Sequence, residues 1–130
     1  MKTNKFLERF NFFYGSVIRD VKISFRNPSF ATNVKIIIST RDKETSESGS
    51  WVNVSVEIDK VTEFNFRETS KESYQVLSNG LHILESEGLF YFDFGFHADA
   101  PKSSEEFKES NFYIVGQSLN WKSEPYQEFS

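Results

Sequence analysis

The chain has 130 residues, a net charge of −4 and no cysteine. That length suits a single domain that buries its own core, and the missing thiols rule out disulfides, thiolate metal sites and cysteine nucleophiles. Overall acidity argues against a nucleic-acid partner, whose phosphates require clustered Lys and Arg.

Aromatic residues make up 17% of the chain, and 15 residues are Phe. Phe carries no polar handle, so most of these rings are expected in a core rather than on a ligand platform. Charge is unevenly spread. Residues 1–41 hold eight Lys/Arg against two Asp/Glu, and residues 42–130 hold seven against 17. The amino terminus lacks the uninterrupted apolar run of a secretory signal, and no stretch is long enough to span a bilayer. A cytoplasmic protein without a membrane partner is expected.

In chain order, Phe6, Leu7, Phe10, Phe13 and Tyr14 recur at helical spacing, which predicts a short amphipathic helix over 4–14, stopped at Gly15. From Ser16 to Arg26 the pattern alternates, with Val17, Val21, Ile23 and Phe25 expected on one inward face. Asn27-Pro28-Ser29 signals a turn into a second strand, 33–40, with Val34, Ile36 and Ile38 inward. Residues 41–50 contain nothing apolar and read as an exposed mobile loop. A third strand over 51–60 places Val52, Val54, Val56 and Ile58 on one face, and a fourth over 61–67 aligns Phe64 with Phe66.

Thr69 and Glu72 have capping-box spacing and suggest a short helix closed by Gly80. Leu81 to Leu84 and the run Leu89 to His97 form a hairpin about a tight turn at 85–88. In that run Phe90, Phe92, Phe94 and Phe96 fall at every second position, so all four rings are expected to be buried on one face. Residues 98–110 are polar and acidic, anchored by Phe107; the last strand runs from Asn111 to Lys122 with Gly116 as a bulge, and 123–130 is a frayed tail. Seven strands with little helix predict a mainly β domain spanning 1–130, built as an antiparallel β-sandwich or a strongly curved sheet.

Chemistry is sparse. His82 and His97 with Asp93 or Asp99 lack a metal-ligand spacing, so no metal or cofactor is assigned. No serine sits in a nucleophile elbow and no phosphate loop or dinucleotide fingerprint is present, so no catalytic residue is assigned and an enzyme is not expected. The candidate partner-binding residues are Asp99, Glu105, Glu106 and Glu109, because they cluster charge in a segment outside the strands.

Three stretches carry a resemblance. They are Phe12-Phe13-Tyr14-Gly15-Ser16-Val17-Ile18; Trp51-Val52-Asn53-Val54-Ser55-Val56 with Phe64-Asn65-Phe66; and Val76-Leu77-Ser78-Asn79-Gly80-Leu81-His82-Ile83 followed by the Phe-rich strand and 110–121. Together they resemble a loose group of small bacterial β-rich proteins, some assigned as immunity proteins of polymorphic or contact-dependent toxin systems. The resemblance implies a non-catalytic protein, monomeric or homodimeric, that binds and neutralises a basic toxin domain. In that group the first stretch often reads Phe-His-Asp-Ser or Phe-His-Asp-Ala. Tyr14 and Gly15 stand in place of the His and Asp, so what carries over is the stretch's role as lead-in to the first strand. Two other readings of the residues remain: a small-ligand or carbohydrate-binding β module, and an assembly protein that pairs through a strand edge.

Overall fold

The computed structural model describes residues 2–26, 31–45, 50–68 and 75–127. The protein is mainly β, with two antiparallel sheets that do not close into a barrel and one short N-terminal helix. Its elements are α1 (Lys2–Arg9), β1 (Ser16–Arg26), β2 (Ala31–Asp42), β3 (Ser50–Asp59), β4 (Glu63–Phe66), β5 (Val76–Leu77), β6 (Leu81–Ser86), β7 (Leu89–Phe94), α2 (Ser104–Phe107), β8 (Phe112–Gly116) and β9 (Ser118–Pro125). The larger sheet has the order β5-β1-β2-β3-β9 and the smaller one β4-β8-β7-β6.

Both sheets contribute to one apolar cluster. Val34, Ile36 and Ile38 of β2 and Val54, Val56 and Ile58 of β3 come from the larger sheet; Leu81, Phe92, Phe94, Phe112 and Ile114 come from the smaller. All of these are fully buried, as strict alternation on β2 and β3 foretells. In the Phe row, Phe92 and Phe94 are fully buried and stack on one another. Phe90 and Phe96 are half-buried and pack against the cluster. The row is cut short because Gly95 takes a positive φ and ends the strand at Phe94. The β6–β7 hairpin turns on Glu87 and Gly88, both at positive φ, the geometry that two-residue hairpin loops favour.

Several expectations are corrected. The helix stops at Arg9, not Gly15, because the chain enters the left-handed region at Asn11, Phe12 and Phe13. Phe6, Leu7, Phe10 and Phe13 are buried, but Tyr14 leaves the stripe and is half exposed. Arg41 and Asp42 are strand rather than loop, and Asp42 is buried against Arg9. Residues 46–49, the turn at 27–29 and the capping box at 69–72 lie outside the described residues; Val76 and Leu77, at the end of the expected helix, are extended and pair with β1.

The expected single strand over 111–122 is two strands in different sheets. β8 pairs with β7 and β4, then after Gly116 and Gln117 the chain crosses to pair β9 with β3. Gly116 permits this crossing, because a Cβ there would collide with the Ile58 side chain. The tail is not frayed at Ser123: β9 continues to Pro125 opposite Val52, and Asn53 holds the Gln127 carbonyl at 3.0 Å.

The largest departure lies in β1. A bulge at Arg19 places that residue and Asp20 together opposite Ile37. One extra residue exchanges the faces of everything beyond it. Ser16 and Ile18 therefore point inward before the bulge, and Val21, Ile23 and Phe25 after it; Val17 is turned outward. The inward-facing residues after the bulge are nonetheless uncovered. Ile23, expected in the core, is 43% exposed and Phe25 is 80% exposed.

Candidate binding surface

The polar groups with chemical potential are mostly spent on holding the fold. The buried Asp93 carboxylate accepts from the Phe96 amide (3.2 Å), the His97 amide (3.0 Å) and the Ser110 hydroxyl (2.7 Å). It thereby locks the turn that follows β7. His82 Nε2 donates to the His97 carbonyl at 2.9 Å, and His97 Nε2 donates to the Glu106 carbonyl at 2.7 Å. A carbonyl only accepts, so both imidazoles carry their proton on Nε2 when neutral. No three His, Cys, Asp or Glu side chains among the described residues are grouped to hold a metal ion.

Arg9 and Asp42 form the other embedded pair. Two bonds, at 3.0 and 2.9 Å, join the guanidinium to the carboxylate. That contact holds the Asp42 carboxyl below its ordinary range and lifts the Arg9 guanidinium above its own. The pair ties the end of α1 to the end of β2, and the Lys43 amide adds a bond to the Arg9 carbonyl. Phe6 and Phe10 then lie against Trp121 of β9, so α1 covers one end of the sandwich.

Immediately after α1 comes a strained turn. Asn11, Phe12 and Phe13 have φ of 50°, 54° and 60°. Left-handed backbone costs an L-residue roughly 1–2 kcal/mol, so three in succession must be over-determined by their surroundings. Phe13 supplies one restraint, fully buried against Phe6 and Phe10. Gly80 supplies another: at φ +74° it sits against the Phe12 carbonyl, where any Cβ would collide with the oxygen. The turn throws Phe12 and Tyr14 outward, 39% and 50% exposed.

These two rings form one wall of a cleft of about 440 Å³. Its floor is β6, the edge strand of the smaller sheet, with Leu81 and His82; its far wall is the loop carrying Asp99 and Pro101. Of the four acidic residues singled out from the sequence, Asp99 alone lines this cleft. Glu105 and Glu109 are exposed on and just after α2. Glu106 is engaged in its own loop: at the surface its carboxylate accepts from the Lys102 amide, while its backbone amide donates to the capping Ser103 hydroxyl and its carbonyl receives His97. Lys108, the cation between them, is drawn to Glu63 on β4 at 2.9 Å. Sequence reasoning missed the cleft because the Phe12–Tyr14 turn, His82 and Asp99 sit on three separate segments, and no periodicity links them. The lead-in stretch 12–18, the stretch 76–83 and the acidic candidate Asp99 each touched it, but nothing in the sequence joined them.

No protein-family model matches the chain, no curated protein matches it, and no solved structure matches it. Fold and surface together define an antiparallel two-sheet β protein with an aromatic cleft at the edge of its smaller sheet. No helix among the described residues is long and apolar enough to cross a membrane.

Proposed function

We propose that this protein is a non-catalytic binder that neutralises a cognate protein in the manner of an immunity protein, with the cleft beside Phe12, Tyr14 and Asp99 as its contact surface. The observation that carries the reading is the strained turn: backbone strain is maintained here to hold two aromatic side chains out in water. Aromatic anchors on a rigid support are the residues that dominate protein interfaces, and strain of this kind concentrates at binding sites. Asp99 adds negative charge in the cleft, and Glu105 and Glu109 are exposed on and just after α2; this charge favours a basic partner and would speed its approach.

The test is binding to the product of the adjacent gene, measured by surface plasmon resonance at two salt concentrations. Phe12→Ser with Tyr14→Ser should weaken binding about a hundredfold, chiefly through faster dissociation. Asp99→Lys with Glu105→Lys should slow association and flatten its dependence on salt. Unaltered rates in both variants would remove the cleft as the contact surface. If unmodified protein does not bind that product, the reading itself falls.

A further inference from the structure

β6 is the outer strand of the smaller sheet, and among the described residues it pairs with β7 alone. The two-residue turn at Glu87 and Gly88 makes Ser86 and Leu89 the first hydrogen-bonded pair of the hairpin. Alternation then bonds Leu84 and His82 to Tyr91 and Asp93, and turns the N–H and C=O groups of Glu85, Ile83 and Leu81 away from β7. Leu81 is sealed, but Ile83 is half-buried and Glu85 exposed, and among the described residues no backbone group bonds either of them from that side. This edge is the floor of the aromatic cleft, from Leu81 to Leu84. The two walls rise on opposite faces of the strand. Leu81 and Ile83 point to the core side, shared with Leu7 and with Phe13 of the turn that carries Phe12 and Tyr14. His82 points to the other side, where its ring reaches the His97 carbonyl at the start of the Asp99 loop. Every lining residue is described, and none adjoins an undescribed one.

We infer that this edge takes an extended, basic segment of the partner protein, which adds to the smaller sheet as a further strand beside β6. That the partner is a basic protein rests on the reading above; the pairing itself does not. The amides and carbonyls of Ile83 and Glu85 are the donors and acceptors such a strand needs, and a groove floored by a strand edge captures peptides by main-chain bonding. At about 3.3 Å per residue, the floor accommodates about four residues. Side chains of an added strand alternate between the two walls, so one set meets Phe12 and Tyr14 and the other meets Asp99. Charge selects the second set. No Lys or Arg lines the cleft, and Asp99, Glu85 and Glu87 have no ion-pair partner among the described residues. Alternating apolar and basic residues therefore fit, and acidic ones are repelled. A second copy of the chain does not fit, because Ile83 of its own β6 is sunk between the same two walls. Lysine or proline commonly blunts an exposed edge, and β6 has neither.

Amide hydrogen exchange followed by NMR tests the pairing with two probes: the product of the adjacent gene, and an end-blocked synthetic hexapeptide that alternates Val with Lys. At saturation either should slow exchange at Ile83 and Glu85 at least about tenfold, and leave His82 and Leu84, already bonded to β7, unchanged. The same peptide with Glu in place of Lys should protect neither amide. Glu85→Pro deletes an outward N–H and spares the ladder to β7; it should weaken binding at least about fivefold beyond Glu85→Gln, which removes the charge alone, with an unchanged circular dichroism spectrum. Protection by the peptide without binding of the gene product would uphold the strand pairing and discard the neutralising reading. No protection by either probe would overturn the strand pairing, and binding of the gene product alone then decides whether the neutralising reading stands. Equal protection by the Glu peptide would also overturn the proposal. So would protection that grows with the concentration of the protein alone, which would give the edge to a second copy.

Discussion

β7 and β1 carry the same kind of message and end in opposite environments. In each, apolar side chains recur at every second position and face the space between the sheets. Phe92 and Phe94 on β7 are sealed there, while Ile23 and Phe25 on β1 stand in water. The difference is not in the strands but in what lies across from them. β7 is an interior strand between β6 and β8, and its inner face meets the larger sheet. Among the described residues, the far half of β1 has neither a second strand beside it nor a sheet squarely over it. Alternation therefore announces which side chains share a face, and coverage decides whether that face is core.

The sharpest way to break the comparison is to truncate one ring in each strand. Phe92→Ala should cost about 3–5 kcal/mol, because the site is closed on all sides and collapses poorly. Urea denaturation reads this as a lower midpoint with an unchanged slope. A loss under about 1 kcal/mol would mean that the Phe row is not core after all.

A smaller effect is expected where the cover itself is loosened. Arg9→Ala removes the guanidinium from buried Asp42 and should cost about 2–3 kcal/mol, since it strands a carboxylate that keeps one amide donor, from Glu44. The pair also sets a pH dependence. Asp42 is held below its ordinary range in the folded chain, mainly by its bonds to Arg9. The unfolded carboxyl titrates near about 3.9. The stability from the pair is therefore complete above that pH and is lost as pH falls through the lower, folded value. Arg9→Ala should flatten the acid side of the stability profile while leaving its loss of stability in full at neutral pH. An acid limb of undiminished steepness in the variant would assign that limb to other carboxylates.

The smallest effect belongs to β1. Phe25→Ser should change the stability of the monomer by no more than about 0.5 kcal/mol, as for exposed sites generally. Measured under dilute conditions, it isolates the folded chain from any self-association. A cost approaching that of Phe92→Ala would show that the end of β1 is covered in solution, and the contrast between the strands would disappear.

Much of the architecture was legible beforehand. Val34, Ile36, Ile38, Val54, Val56 and Ile58 could be assigned to one face because period-two alternation is a local property of extended backbone. The β6–β7 hairpin was equally plain from Glu-Gly between two apolar runs. Three features escaped. The bulge at Arg19 leaves no compositional mark, yet it exchanges the faces of Val17 and Ile18. The crossing at Gly116 separates β8 from β9 without a loop long enough to notice. The aromatic cleft unites the Phe12–Tyr14 turn, β6 and the Asp99 loop, three segments far apart in the chain.

The sequence by itself determined a β protein, the pairing of its strongest hairpin, and the identity of most core positions, because these follow from side-chain alternation and turn chemistry within a few residues. Tertiary structure alone decided that Asp42 would be buried, that Asp99 would reach the cleft while Glu106 bonded within its own loop, and that Ile23 and Phe25 would remain uncovered. Each of those outcomes depends on which element arrives across the gap, and that is set by the packing of the two sheets and α1 rather than by any neighbouring residue.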